Sequence, residues 1–126
     1  MTDDRPVIEM ISKVWGFEKK ITSNKTYCGK LVYIVKGKNT SLRYSSAKDE
    51  TFYVQSGKVH VFFFDRGRQE FDKAMAITNS DIMATMERAT LNPGDNFCVP
   101  PGRIYQIFAA EDTQLFEFST AQNDGG

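Results

Sequence analysis

The chain has 126 residues, of which 40% are hydrophobic and 13% aromatic, a composition that fits one folded all-β or α+β domain with its own core. It argues against a disordered protein. The 16 basic and 16 acidic residues cancel, so the charge favours neither nucleic acid nor an anionic membrane as a partner. The apolar runs are too short to span a bilayer and the charged N-terminus lacks a secretory signal, so we expect a cytoplasmic protein.

The first half of the chain predicts strands separated by short polar turns. Residues 7–14 are compatible with a short strand or with one helical turn. Residues 27–36 are rich in β-branched, aromatic and other apolar side chains, which is typical of a strand. Further strands are predicted at 15–21, around Arg43 and Ser45, at 50–56 and at 58–64, and the turn at Gly57 predicts a hairpin between the last two.

The second half begins with an irregular segment, 65–88. Its start predicts a turn at 65–68, and apolar residues at helical spacing between Phe71 and Ile82 predict a short helix. Alternation at 82–86 fits a strand equally well. A strand running into a turn is then predicted at 90–95. Strands follow at 96–99, 103–109 and 114–119, and loose tails are predicted at 1–6 and 121–126. Eight to ten short strands joined by Gly/Pro turns indicate a β-sandwich or small barrel.

Polar residues from two neighbouring strands meet in the stretch 37–57. Strand side chains alternate between the two faces, so Arg43 and Ser45 share one face and Glu50 opens the next strand. If the strands pair antiparallel, the three side chains converge on one interior point. Buried polar groups cost free energy unless they pair or bind something, so this point is the candidate site.

Two gapped motifs resemble those of the cupins. Gly37, Glu50 and Gly57 keep every spacing of the first motif, G-x5-H-x-H-x4-E-x6-G. The second motif, G-x5-P-x-G-x2-H-x3-N, is matched in the same way at 94–109, through its two glycines and its proline. The resemblance implies a single all-β cupin domain over 1–126, an antiparallel barrel of the jelly-roll type with room for a short helix between the motifs.

A second set of residues is similar to the C-terminal cupin domain of bifunctional mannose-6-phosphate isomerase/guanylyltransferases. The set comprises Trp15-Gly16-Phe17-Glu18, Lys30, Ser41-Leu42 and the segment 115–120. Its elements are short and dispersed. This similarity implies a sugar or a sugar phosphate as the ligand.

The sequence departs from the cupin motifs at the metal ligands. In the family, three histidines and the glutamate hold a divalent metal, but Arg43, Ser45 and Tyr105 stand at the histidine positions here. Ala109 stands at the final asparagine, and Glu50 alone remains. A guanidinium does not ligate a metal and one carboxylate is not enough to hold one. We therefore expect no metal and no other cofactor.

Several candidate ligand-binding residues keep alternative roles. Arg43 either grips a carboxylate or phosphate of the ligand or forms an internal ion pair with Glu50. Lys30 and Tyr33 lie on a strand expected to border the cavity, where Lys30 binds an anionic group or is a solvated edge lysine. Cys98 is a further ligand-binding candidate, although it and the other cysteine, Cys28, also fit plain core positions.

Three functions follow from these residues. The first is metal-free binding of a small anionic ligand, a sugar or sugar phosphate. The second is a metal-independent sugar isomerase or epimerase in which Glu50 and Tyr105 are the acid–base pair. The third is a structural dimer whose barrel is closed by an Arg43–Glu50 pair. The apolar run 62–64 favours a homodimer, and His60, the only histidine, is predicted at the surface or an interface.

Overall fold

The computed structural model describes residues 8–65, 67–77 and 86–121. Within these ranges the chain forms nine strands and one helix. Their bounds are β1 Glu9–Lys13, β2 Gly16–Ser23, β3 Tyr27–Ile34, β4 Glu50–Ser56, β5 Val59–Phe64, α1 Gly67–Ile77, β6 Glu87–Leu91, β7 Asn96–Val99, β8 Ile104–Ala109 and β9 Thr113–Thr120.

The strands form two antiparallel sheets that enclose one core. The larger sheet has the order β1-β2-β3-β9-β4-β7, and the smaller has the order β6-β5-β8. Strands that follow one another in the chain are often not neighbours in a sheet. For example, β9 lies between β3 and β4, and β4 and β5 belong to different sheets. The predicted all-β jelly-roll architecture is confirmed.

The core follows from alternation along the strands. In β5, for example, Val59 and Val61 are buried between half-buried neighbours, and Phe52 and Val54 of β4 are buried opposite them. Along the strands that face the core, alternate side chains are therefore removed from water, which is the main source of stability in such a sandwich. The core also contains Trp15, Val32, Ile34, Leu91, Phe97, Val99, Tyr105, Ile107, Ala109 and Leu115.

The inner face of the larger sheet changes from apolar at one end to polar at the other. The strand register sets side by side the inward residues of β3, β9 and β4. Successive rows are Val32, Leu115 and Val54; then Lys30, Glu117 and Phe52; then Cys28, Ser119 and Glu50. The polar rows define the open end of the barrel, where the candidate site lies.

The segment around Arg43 is extended but is not a full strand. It makes two isolated bridges to β8, at Asn39 and at Arg43. Farther along, the amide of Gly102 donates to the carbonyl oxygen of Ser45 at 2.8 Å. The predicted strand at this point is therefore reduced to single contacts, and the segment 42–48 forms a wall over the end of the barrel.

The predicted helix between the motifs is present but begins earlier than its apolar spacing indicates. It starts at Gly67, inside the predicted turn at 65–68, and runs to Ile77. The alternation predicted at 82–86 lies outside the described residues except for Met86, which directly precedes β6. Within the part of the chain that the structure describes, no helix has the length and apolarity that a membrane span requires.

The aromatic run 62–64 is covered by its own chain. Phe63 faces the core, with its ring centroid 5.3 Å from that of Phe97. Phe64 faces outward and packs edge-on against Phe71 of α1, with ring centroids 5.4 Å apart. β5 is also the central strand of its sheet, so it has no open edge with which to pair a second copy. This run gives no support to a homodimer.

The turn between β4 and β5 allows a test of the backbone geometry. Gly57 has a φ of +94°, and a Cβ atom there would overlap the backbone of Asp112 and Thr113. Gly94 has a φ of +93° with no neighbouring atom within 4 Å of a Cβ. We expect Gly94→Ala to lower the free energy of unfolding by about 1 kcal/mol from backbone strain alone. Gly57→Ala should cost about 3 kcal/mol, because overlap adds to the strain.

Urea denaturation of both variants measures the difference. Equal losses of stability would mean that the turn around Asp112 moves aside for a methyl group, contrary to the packing described above.

Candidate functional site

An open cavity with a volume of about 470 Å3 lies at the polar end of the barrel. The segment 42–48 forms one wall. The rest of the lining consists of Lys30 from β3, Glu50 from β4, Tyr105 from β8 and Glu117 from β9. The cavity is thus lined mainly by charged and polar side chains that four strands and one loop carry to the same place.

Arg43 lies at the centre of a buried charge network. Its Nη2 donates to Oε2 of Glu18 at 3.0 Å, and its Nη1 lies 3.8 Å from Oε1 of Glu117. The guanidinium also lies 5.7 Å from the ring centroid of Trp15. The predicted Arg43–Glu50 pair is wrong, because Glu18 of β2 supplies the carboxylate and Glu50 is engaged elsewhere.

Glu50 and Tyr105 form a hydrogen-bonded pair. The Tyr105 hydroxyl donates to Oε2 of Glu50 at 2.9 Å, and both side chains are buried. Burial, together with the negative charge of Glu50, raises the pKa of Tyr105 far above its ordinary value. Tyr105 therefore remains protonated at neutral pH and acts as a hydrogen-bond donor.

Glu117 is a site residue that the sequence analysis did not single out. It is 2% exposed, and its Oε1 has no hydrogen-bond partner although it lies in the ion-pair range of Arg43. Burial raises the pKa of Glu117 above its ordinary value, and the positive charges of Lys30, Arg43 and Lys48 offset this only in part. Its alternation with buried Leu115 would have predicted an inward carboxyl group.

Glu18 is the second residue that was missed as part of the site. It is buried on β2, and its Oε1 lies 3.6 Å from the Nζ of Lys30. Burial alone would raise the pKa of Glu18, but the positive charges of Lys30 and Arg43 outweigh it and hold the pKa below its ordinary value. Two carboxylates that share one arginine thus have pKa values shifted in opposite directions.

Five predicted site residues do line the cavity: Lys30, Arg43, Ser45, Glu50 and Tyr105. Ser45 has a structural role there, because its Oγ accepts hydrogen bonds from the amides of Lys48 at 3.0 Å and Ala47 at 3.3 Å. Lys30 is only 18% exposed on an interior strand. The alternative of a solvated edge lysine is therefore wrong.

Tyr33 does not border the cavity. It lies three residues after Lys30 on the same strand, so its side chain points to the opposite face. There its ring stacks on that of Phe17 at 5.2 Å. The prediction of a ligand-binding Tyr33 is wrong for this geometric reason.

Cys98 is also directed away from the site. It lies between buried Phe97 and Val99 on β7, and alternation therefore exposes it on the outer face. Its sulfur accepts a weak hydrogen bond from the hydroxyl group of Thr51, whose Oγ1 lies 3.8 Å away. Cys98 is therefore neither a ligand-binding residue nor a core residue, and both predictions for it are wrong. The other cysteine, Cys28, is half-buried.

His60 lies far from the cavity, on the outer face of the smaller sheet, as predicted for a residue that is neither ligand nor base. Its Nδ1 is 2.8 Å from the hydroxyl of Thr90, and its ring stacks on Phe108. In the described ranges, no group of three or more His, Cys, Asp or Glu side chains is arranged to hold a metal ion.

The raised pKa of Glu117 predicts a pH dependence of stability. Above the ordinary value of 4.5, the folded protein retains a proton that the unfolded chain releases, so this group's contribution to stability is lost as pH rises. Glu117→Gln removes that loss. We expect the variant to gain stability relative to wild type between pH 4.5 and neutrality, by about 1.4 kcal/mol for each unit of the pKa shift.

Urea denaturation at a series of pH values checks this expectation. The matched control is Glu87→Gln, which removes an exposed carboxylate on β6. A stability difference that shrinks as pH rises would indicate a lowered pKa of Glu117 instead.

Comparison with known proteins identifies the fold family. The family model described as cupin matches residues 30–125. No curated protein sequence matches the chain significantly. Solved structures that superpose well share few identical residues with it, so they bear on the fold alone.

Three of these structures illustrate the similarity. KdgF from Halomonas sp. has a TM-score of 0.68 and 16% identity, covering 93% of this chain and 89% of its own. An RmlC-like cupin from Shewanella frigidimarina has a TM-score of 0.70 and 15% identity, with 98% and 96% covered. The capsular polysaccharide assembling protein CapF from Staphylococcus aureus has a TM-score of 0.70 and 15% identity, but this chain, 94% covered, spans only 32% of it. The family match extends over more than half of the sequence, and the chain belongs to the cupin family.

Proposed function

We propose that the chain is a cupin that binds a small anionic ligand, a sugar or a sugar phosphate, in the mouth of its barrel without a metal. The observation that carries this proposal is the open cavity of about 470 Å3 with the Arg43 guanidinium inside it. Small-molecule sites typically have volumes of about 300–1,000 Å3. Lys30 and Lys48 add positive charge to the lining.

The polar lining suits a polyhydroxylated ligand. Glu50 accepts and Tyr105 donates hydrogen bonds, and the Oε1 of Glu117, which has no hydrogen-bond partner, offers a further contact. A buried polar atom without a partner costs free energy that a ligand hydroxyl group would recover. Because the cavity remains open, the alternative of a structural protein with a plugged barrel receives no support from the geometry.

The metal-free part of the proposal rests on the chemistry of the side chains at the family's ligand positions. Arg43, Ser45 and Tyr105 occupy the three histidine positions of the cupin motifs. Arg43 has a fixed positive charge and no lone pair to donate, and it already pairs with Glu18 and Glu117. We propose that this guanidinium takes the electrostatic place of the metal.

Two similarities to other proteins support the proposed sugar ligand. The capsular polysaccharide assembling protein among the similar structures agrees with a sugar ligand, as does the similarity to the mannose-6-phosphate isomerase domain.

We propose that residues 1–126 form a single domain, since both sheets share one core. The predicted homodimer would use the outer face of the larger sheet, where Tyr27 and Phe118 are exposed.

An enzymatic alternative is supported by one contact. The buried hydrogen bond between Tyr105 and Glu50 would suit a metal-independent isomerase or epimerase. The raised pKa of Tyr105, however, makes this phenol a poor proton donor. We therefore favour binding over catalysis.

The metal content of the purified protein tests the metal-free proposal. After dialysis without chelator, we expect elemental mass spectrometry to find much less than one transition-metal ion per chain. A stoichiometric metal would contradict the proposal and would mean that other residues ligate it.

Binding itself can be tested with Arg43→Lys. A thermal-shift screen against sugar phosphates and small carboxylates identifies a ligand, and calorimetry then measures its affinity. The substitution keeps the positive charge but loses most of the N–H donors with which the guanidinium can hold Glu18 and a ligand anion at the same time, so we expect affinity to fall at least about tenfold. Arg88→Lys, on an exposed part of β6, is the matched control and should bind normally.

Tyr105→Phe separates binding from catalysis in the same experiment. Unaltered ligand recovered from both the wild type and this variant supports a binding protein. Turnover by the wild type that is lost in the variant, with binding retained, would establish the enzymatic alternative.

A further inference from the structure

A small pocket opens beside the main cavity, and we propose that it is a subsite for the phosphate group of the ligand. It is lined by Lys20, Ser23, Cys28, Lys30, Lys48 and Thr120. This inference rests on the proposed function and deepens it. It divides the ligand into a phosphate end, held in the side pocket, and a polyhydroxylated end, held in the main cavity.

The strand register brings two positive charges together. Lys20 of β2 and Lys30 of β3 are directly opposite one another in antiparallel pairing, so their side chains share the inner face. Like charges in this arrangement destabilise a sheet. Lys48 approaches the same point from the loop before β4. An anion held among the three ammonium groups would remove the repulsion.

The nearby carboxylates do not neutralise this cluster. Lys30 pairs with Glu18 at 3.6 Å, but within the described ranges Lys20 and Lys48 have no ion-pair partner. Glu9 lies opposite Lys20 in the sheet, and Asp49 follows Lys48 in the chain, yet neither forms an ion pair with these lysines. Two lysines without a direct ion pair in the described part of the chain therefore face the pocket, although the charge of Lys48 also acts on the buried Glu117.

The size of the pocket selects the group that it can hold. Its volume is about 60 Å3, far below that of the main cavity. A pocket of this size accommodates a small group such as a phosphate, whereas pockets that hold a whole small molecule typically begin at about 300 Å3. The hydroxyl groups of Ser23 and Thr120 supply donors beside the lysines.

The two compartments are adjacent, because Lys30 and Lys48 line both of them. In the proposed complex, a sugar in the main cavity extends its phosphate past these lysines into the side pocket. The ligand class that fits this arrangement is a phosphate monoester of a polyhydroxylated compound, with the phosphate at one end. A neutral sugar would leave the lysine cluster unoccupied.

Inorganic phosphate is the probe for the subsite alone. Titrated into the 15N-labelled protein, it should shift the amide signals around Lys20, Ser23, Lys48 and Thr120 saturably. In Lys20→Gln/Lys48→Gln we expect phosphate affinity to fall at least tenfold, while Lys30 stays to hold Glu18. Lys19→Gln/Lys38→Gln removes the same net charge outside the pocket and should bind phosphate as the wild type does.

The outcomes separate this inference from the proposed function. Equal phosphate affinity in the Lys20→Gln/Lys48→Gln variant, no saturable binding, or shifts confined to the surroundings of Arg43 would overturn the subsite. Phosphate bound at the lysines, with no sugar or sugar phosphate shifting the signals of the main cavity, would uphold the subsite and refute the proposed function.

Discussion

The Arg43 guanidinium carries a permanent positive charge into the polar end of the barrel, and its carboxylate partners come from strands that are distant in sequence. Glu18 from β2 and Glu117 from β9 flank it. Charges removed from water are costly unless they are paired, so this triad constrains how β2, β3 and β9 align. The open cavity exists because these inward groups are polar and leave its volume unfilled by apolar packing.

The two carboxyl groups beside Arg43 have pKa values shifted in opposite directions, and this difference determines which of them is ionised. Glu18, near both Lys30 and Arg43, is held in its ionised form, whereas burial favours the protonated form of Glu117. Carboxyl groups whose environments separate their pKa values can supply a hydrogen-bond acceptor and a hydrogen-bond donor, but only Glu117 of the two lines the cavity.

Most of the fold and part of the site could be predicted from the amino-acid sequence. The spacing of the two motifs predicted the positions of the turns. It also predicted that Arg43, Glu50 and Tyr105 lie together, and all three line one cavity. The partner of Arg43 could not be obtained in this way, because its contact with Glu18 depends on the pairing of β2 with β3. The error at Tyr33 was avoidable, since alternation along β3 already assigns it to the outer face. The sequence also could not show that helix α1 packs over the aromatic run 62–64, because only the tertiary structure determines where this helix lies.

The segment 42–48 forms much of the cavity wall while contributing little to the sheets. Isolated bridges, the amide of Gly102 and the turn capped by Ser45 hold it in place, whereas the core lies beneath it. Changes in its exposed side chains, such as Tyr44 or Ser46, alter the shape of the site without opening a cavity in the core. Ligand preference can therefore diverge during evolution in this loop at little cost in folding, while the barrel remains the same.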